Sequence, residues 1–239
     1  MNIKVCFSDA GCRVFGPYVA LLIVICMAFP GVLQAQDQDI VSEDKEVVAP
    51  SHPAVMRLQR FIYDLKSMDA TFVQKTDNAD SGVPTISHGR FQAERPYRFR
   101  WDYTDPYPQL ILSDSTMVWY YEEDLKQVTR TPAERLNSSP AAFLIAGRPL
   151  GELFRWEVLA GPKAGTETVR LHSLNEEESS FDEIRVTLHP ERDELYMLEV
   201  MDNLGNFSRF TFDNMKMNQP IPQDRFHFTV PEGVDVLDG

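Results

Sequence analysis

Cysteine is confined to the first 26 residues of the chain, at Cys6, Cys12 and Cys26. Residues 36–239 contain no thiol, which excludes disulfides, thiolate zinc sites and cysteine nucleophiles from that part. Stability there must come from packing alone. The roughly 200 residues involved are enough for one sizeable domain.

The first 35 residues have the layout of a secretory signal peptide. Positive charge precedes an apolar stretch over residues 14–29, and Ala35 is a small residue at which cleavage is expected. A membrane anchor is the alternative, but about 16 apolar residues fall short of the roughly 20 that a span needs. Lipidation at Cys26 is disfavoured because the residue before it is a bulky isoleucine. We therefore expect export, with cleavage near Ala35.

Basic residues are also scarce. The chain has 23 lysines and arginines against 36 acidic residues, a formal net charge of −13 at pH 7. Loss of the leader removes Lys4, Arg13 and Asp9, which leaves 21 basic against 35 acidic residues, or −14. Nucleic acid and anionic lipid both require basic patches. The charge argues against both partners and favours a soluble protein that leaves membranes readily.

Motifs that carry catalysis or bind cofactors are lacking. The five histidines are scattered, with none at the spacing of zinc ligands, and no Gly-x-Ser-x-Gly elbow or phosphate-binding loop is present. The acidic runs 122–124 and 176–178 lie in polar, turn-like segments, where solvated charges are the simpler interpretation. The sequence predicts a protein that is not an enzyme and has no catalytic residues, metal or cofactor.

Helical periodicity is seen in two places. Residues 36–50 are polar and acidic and predict a disordered lead-in before the domain at 51–239. Apolar residues from Val55 to Met68 then recur at spacings of three and four, which predicts an amphipathic helix. A second, short helix is predicted after Ser139, over residues 141–146.

Most of the remaining chain has the pattern of β-strands. Tyr97, Phe99, Trp101 and Tyr103 alternate with polar residues, as in a half-buried strand. The other predicted strands cover 91–93, 110–112, 117–121, 127–129, 156–158, 168–171, 184–188, 196–200, 207–212 and 226–230. The pattern predicts a mainly β protein with α, a curved antiparallel sheet with helices packed into its open side. The aromatic residues either fill an ordinary core or line a cavity, and composition alone leaves both possible.

Several segments, in order, resemble the outer-membrane lipoprotein carrier family, LolA. They include MDATFVQK at residues 68–75, GRFQAERPYRFRW at 89–101 and PEGVDV at 231–236. The resemblance covers roughly residues 55–236. It implies a half-open antiparallel β-barrel, closed by a lid of short helices over a hydrophobic cavity. Such a protein is a periplasmic monomer that takes acylated lipoproteins from an ATP-driven extractor in the inner membrane and delivers them to an outer-membrane receptor.

The resemblance also implies roles for individual residues. Arg95 corresponds to an arginine that ties barrel to lid. Candidates for the acyl-chain cavity, from strand parity and family match, are Phe99, Trp101, Leu110, Leu112, Trp119 and Tyr121. Candidate lid residues are Phe143, Leu144 and Ile145. Adjacent strand residues cannot all point inward, so some of these must face away.

Two other functions remain possible from the residues. A related periplasmic lipid-binding or stress-sensing protein would use the same half-barrel, although a receptor of that kind would ordinarily carry its own lipidated cysteine. A secreted lipid hydrolase would need a nucleophile and a base, and the sequence identifies neither.

Overall fold

The structure, a computed structural model, describes residues 52–133, 144, 148–177 and 179–239. The predicted signal peptide (1–35) and acidic lead-in (36–50) lie outside the described residues. So does the predicted second helix at 141–146, with Phe143 and Ile145, except for Leu144. The proposed division of the chain at residue 51 therefore stays a prediction. Leu144 is described and is fully buried.

The helix α1 covers Pro53–Asp64, and Leu144 also has α-helical backbone. His52 caps the first turn of α1 by accepting a hydrogen bond from the backbone N–H of Ala54 at 3.3 Å, and Pro53 suits the first helical position. The buried face consists of Ala54, Val55, Leu58, Phe61 and Ile62. The predicted helix is confirmed but ends earlier than expected, because the backbone is already extended at Leu65 and Met68 belongs to the first strand.

Twelve strands form one sheet in the part of the chain that the structure describes. They are β1 (Ser67–Asp77), β2 (Pro84–Glu94), β3 (Arg98–Asp105), β4 (Gln109–Asp114), β5 (Met117–Glu122), β6 (Gln127–Pro132), β7 (Phe154–Ala160), β8 (Glu167–Ser173), β9 (Phe181–Leu188), β10 (Leu195–Asp202), β11 (Phe207–Met217) and β12 (Asp235–Asp238). The order across the sheet is β12-β6-β5-β4-β3-β2-β1-β11-β10-β9-β8-β7. Neighbours are antiparallel except β12 and β6, which run parallel. Short 3₁₀ turns, η1 (Leu150–Glu152) and η2 (Gln223–Phe226), complete the described elements.

The sheet is open and curved, and α1 packs against one of its faces, which we call the inner face. The buried side of α1 joins one hydrophobic cluster with inner-face residues from both halves of the sheet, including Phe72, Phe91, Trp101, Leu198 and Phe210. The opposite surface is the outer face. Since paired residues on neighbouring antiparallel strands point to the same side, the strand register assigns every strand residue to one face or the other.

Gly89 on β2 allows the closest packing of the inner face. A Cβ atom at this position would lie 2.6 Å from the ring of Phe72 and 2.0 Å from the carbonyl oxygen of Asp102. Phe72 and Gly89 are directly paired across β1 and β2. The aromatic ring thus covers the backbone of its cross-strand neighbour, an arrangement that only glycine permits.

The prediction of a mainly β protein with a helix is confirmed, but the predicted strands differ from the structure in several details, one of which is that β12 was not predicted. Residues 226–230 are not a strand, since Phe226 ends η2 and the following residues are irregular. Their aromatic side chains pack onto the outer face of the sheet, and Pro222 and Pro231, which lack a backbone N–H, flank the segment. The second missed feature is β1, whose inner face carries the polar residues Gln74 and Thr76 and so has no regular alternation.

Candidate functional site

Aromatic side chains from four strands meet on the inner face, in the same hydrophobic cluster as the buried side of α1. The rings of Phe91 and Trp101 are 4.6 Å apart, those of Trp101 and Phe210 are 5.1 Å apart, and those of Phe72 and Tyr103 are 5.2 Å apart. Edge-to-face contacts of this kind add to the stabilisation from burial. The indole N–H of Trp101 is buried and has no hydrogen-bond partner among the described residues. The surface is therefore apolar, with one polar group still available.

Polar side chains border this aromatic surface on one side. The hydroxyl of Tyr103 donates to Oε1 of Gln74 at 2.7 Å, and Nε2 of Gln74 donates to the hydroxyls of Thr76 at 2.9 Å and Ser208 at 3.2 Å. Burial raises the pKa of Tyr103, so its hydroxyl is neutral at physiological pH. These groups satisfy one another and mark a polar edge to the apolar inner face.

The six predicted cavity residues divide between the two faces. Phe99 and Trp101 are on the inner face, where both are buried in the cluster with α1. Their direct partners on β4 are Ser113 and Ile111, so Leu110 and Leu112 point the other way. The outer-face group is Leu110, Leu112, Trp119 and Tyr121, since Leu112 pairs with Trp119 and Leu110 pairs with Tyr121. The six residues cannot line one cavity, although a role for each in acyl binding remains a prediction.

A C-terminal segment covers this outer-face group. The ring of Phe228 lies 5.4 Å from Trp119 and 5.6 Å from Tyr121, and η2 contacts β3 and β4. Arg225 donates to Oε1 of Gln92 at 2.8 Å and to Asp102 at 3.1 Å. The four residues are thus packed under a part of the chain itself, which the alternation of the strands alone does not indicate.

Arg95 joins three parts of the chain. It lies in the turn between β2 and β3, and its guanidinium donates to the carbonyl oxygens of Tyr63 at 3.3 Å, of Ile62, and of Leu144 at 3.3 Å. Ile62 and Tyr63 are in the last turn of α1, where carbonyl groups lack partners within the helix. Burial lowers the pKa of Arg95 below the usual value for an arginine. Arg95 and Leu144, both singled out in the sequence, are therefore brought together at the end of α1.

Two further residues hold α1 in place and were not identified from the sequence. Arg57, in the first half of the helix, donates to the carbonyl oxygens of His189 at 2.9 Å and Arg192 at 3.2 Å, and to Asp193 at 3.1 Å. At the other end, the side-chain amide of Asn218 donates to the carbonyl oxygen of Asp64 at 3.1 Å. Both positions looked like ordinary polar surface, since their partners are more than 100 residues away along the chain.

A small cleft lies beside α1, between the helix and strands β8 and β9. Its volume is ≈ 50 Å³, and its walls include Ala54, Arg57, Val169, Val186 and Leu188. On this measure one water needs roughly 10–15 Å³, so the cleft has room for a few waters but not for a 16-carbon chain. Across 52–133, 144, 148–177 and 179–239, no cluster of three His, Cys, Asp or Glu side chains is arranged to hold a metal. In the same residues no helix is long and apolar enough to cross a bilayer.

Comparison with known proteins identifies the family to which this sequence is similar. Residues 64–229 match the family model described as "Outer membrane lipoprotein carrier protein LolA". A protein from Chromobacterium violaceum named outer-membrane lipoprotein carrier protein is 34% identical over 187 residues, covering 78% of this chain and 88% of that protein. One of the same name from Cupriavidus necator is 36% identical over 197 residues, covering 80% and 91%.

Solved structures with a similar course of the chain are more distant in sequence. A LolA superfamily protein from Nitrosomonas europaea matches with a TM-score of 0.43 and 13% identity, covering 76% of this chain and 99% of that one. The family match and the curated relatives decide the assignment. The chain belongs to the outer membrane lipoprotein carrier family, LolA.

Proposed function

We propose that this protein is a periplasmic carrier that binds the acyl chains of lipoproteins against its inner face and ferries them between membranes. It accepts them from an ATP-driven extractor in the inner membrane and gives them to a receptor on the outer membrane. The carrier itself needs no nucleotide, metal or catalytic group. Membership of the family supports lipoproteins as the cargo. The arrangement of α1, Arg95 and the aromatic inner face supports the proposed mode of binding.

The reason for a carrier is the cost of hydrating acyl chains. Exposing a 16-carbon chain to water costs roughly 12 kcal/mol, at about 0.8 kcal/mol per methylene. A triacylated protein cannot cross an aqueous space unless its chains are covered. The aromatic surface formed by Phe72, Phe91, Trp101 and Phe210 is an apolar surface suited to cover them.

In the described arrangement the buried side of α1 packs into the inner-face cluster to which the acyl chains are proposed to bind. The adjacent cleft of ≈ 50 Å³ has room for only a few waters, so in the proposed mechanism α1 moves aside when cargo enters. This movement exposes the buried side chains of Val55, Leu58, Phe61 and Ile62, at roughly 1.5–3 kcal/mol each, or about 6–12 kcal/mol together. One acyl chain returns a similar free energy, so helix and cargo can exchange on the inner face with a small net change.

The free energy lost when α1 leaves the inner face and the free energy gained when an acyl chain is buried there nearly cancel. A few hydrogen bonds therefore decide whether the helix or the cargo occupies this face. This is the observation that carries the proposal: one guanidinium, that of Arg95, joins the end of α1 to Leu144. Hydrogen bonds to charged groups contribute about 1.5–3 kcal/mol. In the proposed mechanism α1 and the segment carrying Leu144 form the lid of a half-barrel, and Arg95 is its latch.

The first test asks whether the protein binds acyl chains at all. A fluorescent hydrophobic probe is bound to the purified protein without its signal peptide, and a synthetic triacylated peptide is added. We expect the triacylated peptide to displace the probe and the same peptide without acyl chains to leave it bound. Equal effects of the two peptides would contradict the carrier function.

The second test concerns the latch. Arg95→Leu removes the three hydrogen bonds, and we expect the variant to take up the triacylated peptide but to deliver lipoprotein to receptor-bearing membranes about tenfold more slowly, because a change of 1.4 kcal/mol is tenfold. Arg60→Leu, at an exposed arginine of the same helix, is the control. Normal delivery by Arg95→Leu would exclude the latch and leave the carrier function standing.

A further inference from the structure

Exposed large apolar side chains concentrate at one end of the sheet. This end, which we call the hairpin end, contains the connections β1–β2, β3–β4, β5–β6, β8–β9 and β10–β11. The apolar residues in or beside these connections are Val83, Ile86, Tyr107, Leu125, Leu174 and Leu204, and each is between 52% and 65% exposed. Single exposed apolar residues are normal on a protein, but a set on adjacent loops is typical of a binding surface.

The other end of the same strands provides an internal comparison. It contains the turns β2–β3, β4–β5, β7–β8 and β9–β10, and among the described residues none of these turns carries an exposed large hydrophobic side chain. The latch residue Arg95 lies in the first of them. The two ends have the same strands and similar connection lengths, so the difference lies in the residues chosen for the loops.

The loops of the hairpin end form a continuous row. The strand order places β5–β6, β3–β4, β1–β2, β10–β11 and β8–β9 next to one another in that sequence. Neighbouring strands are about 4.8 Å apart, so neighbouring hairpins are separated by about 10 Å. The backbone N–H of Ala79 donates to Oδ1 of Asn206 at 3.1 Å, which joins the β1–β2 and β10–β11 loops directly.

Charge at the hairpin end is strongly negative. Among the described residues of these connections and the strand ends beside them, the acidic residues are Asp77, Asp80, Asp105, Glu122, Glu123, Asp124, Glu176, Glu177 and Asp202. Lys126 is the basic residue of the connections themselves. Basic side chains just inside the strands pair with three of these acids: Lys75 with Asp77 at 3.0 Å, His88 with Asp105 at 3.3 Å, and Arg155 with Glu176. The acidic residues remain in clear excess. An anionic bilayer would be repelled by this surface, and so would the acidic segment 36–50 of the chain itself. A partner that fits must present positive charge around apolar groups.

We propose that the hairpin end is a docking surface for a membrane-bound transfer partner, a protein that presents apolar side chains ringed by lysine or arginine. The proposal rests on the carrier function and adds to it the surface through which cargo is exchanged. Docking at this end leaves Arg95 and the C-terminal end of α1 free, because these lie at the opposite end of the strands. Partner binding and lid movement are then separate steps at separate places.

The experiment removes apolar surface without touching the inner face. Tyr107→Ser combined with Leu204→Ser is compared with Val236→Ser combined with Leu237→Ser, a control pair exposed on β12. Each variant is tested for triacylated-peptide binding and for lipoprotein transfer, both from proteoliposomes holding the extractor and to vesicles holding the receptor. Thermal unfolding verifies that each variant is folded.

We expect the hairpin-end variant to bind the triacylated peptide normally and to lose about tenfold in the rate of at least one transfer step, as when interface anchors are truncated. A charge variant, Glu123→Lys with Asp124→Lys, should slow the same step, and added salt should slow it in the unmodified chain. Normal transfer by both variants would overturn the docking proposal. Binding of the unmodified chain to protein-free vesicles, lost in the serine variant, would overturn it in favour of a lipid surface.

These outcomes are distinct from failure of the carrier function. If the unmodified chain does not bind triacylated peptide, the carrier function itself is wrong. If it binds the peptide and all variants transfer cargo at the unmodified rate, only the docking surface is wrong.

Discussion

The two faces of the sheet are covered by different kinds of contact. On the inner face α1 packs through aliphatic and aromatic side chains, and arginine side chains attach it mainly through backbone carbonyl groups. On the outer face the C-terminal segment packs through Phe226 and Phe228 and is also bound by charged groups: Arg225 to Asp102 at 3.1 Å, and Arg98 to Gln223. Both covers bury apolar side chains of the sheet.

This difference indicates which cover can leave. Carbonyl groups at the end of a helix can be hydrated when the helix moves, so water can replace Arg95 as the partner of these carbonyl groups. Asp102 is largely buried and contacts both Arg100, at 2.6 Å, and Arg225. Removal of the C-terminal segment would take away one of these partners at a greater cost. We infer that α1 is the movable cover and the C-terminal segment a fixed one.

The largest effect is expected from breaking the fixed cover. Phe226 is buried on the outer face beneath Arg98, whose guanidinium lies 5.7 Å from the ring centre. Phe226→Ala should lower the free energy of unfolding by about 3–5 kcal/mol, as for other buried phenylalanines. Denaturant unfolding measures the loss, and His227→Ala, at the exposed next position, is the control. Triacylated-peptide affinity should not change under conditions where the variant is folded, and a loss of affinity there would indicate that acyl chains bind the outer face.

A smaller decrease in the free energy of unfolding is expected when a side chain is added to the tightly packed inner face. Gly89→Ala places a methyl group against the ring of Phe72 and the carbonyl oxygen of Asp102, and overpacking of this kind typically costs about 1–3 kcal/mol. Gly151→Ala is the matched control, because its Cβ would lie 3.5 Å from Trp156, at ordinary contact distance. Equal stability of the two variants would show that both the ring of Phe72 and the backbone at Asp102 can move away without cost.

The strands show how far the sequence could lead. Alternation located β3 correctly, because Phe99, Trp101 and Tyr103 share the inner face and their polar neighbours share the outer one. It failed for β1, where Gln74 occupies an inner position by binding Tyr103, and for residues 226–230, where aromatic residues belong to a covering segment. The periodicity of a sequence shows which residues are buried on the same side. It does not show which other part of the chain packs against them.

For the candidate site, the sequence could indicate which residues are involved, but not on which face of the sheet each side chain lies. The resemblance pointed to Arg95, and the structure brings it to Leu144 and the end of α1. The division of Trp101 from Leu110 and Leu112 depends on the register of β3 against β4, which is fixed by the turn at residues 106–108. Arg57 has its partners in the β9–β10 turn. The local sequence of the helix could not predict a contact with residues so far away in the chain.

The smallest expected effect on stability comes from Arg57→Gln. This variant directly tests whether α1 can move while the rest of the fold stays in place. Arg57→Gln removes the hydrogen bonds from α1 to the carbonyl groups of His189 and Arg192 and the ion pair with Asp193. The side chain is about one third exposed, so the loss should be about 1 kcal/mol or less. If α1 opens separately from the rest of the fold, this loss appears in the local opening of the helix. Hydrogen exchange of the α1 amides should then become up to about fivefold faster, while exchange in β10 and β11 stays the same.

Arg60→Gln, on the exposed side of α1, is the control and should leave both rates unchanged. Faster exchange in α1 and in β10–β11 together would mean that the helix and the sheet unfold as one unit. In that case the inner cover is as fixed as the outer one, and acyl chains would have to enter by another route. Faster exchange in α1 alone would establish that the helix leaves the inner face while the sheet stays folded, which is the movement that cargo binding requires.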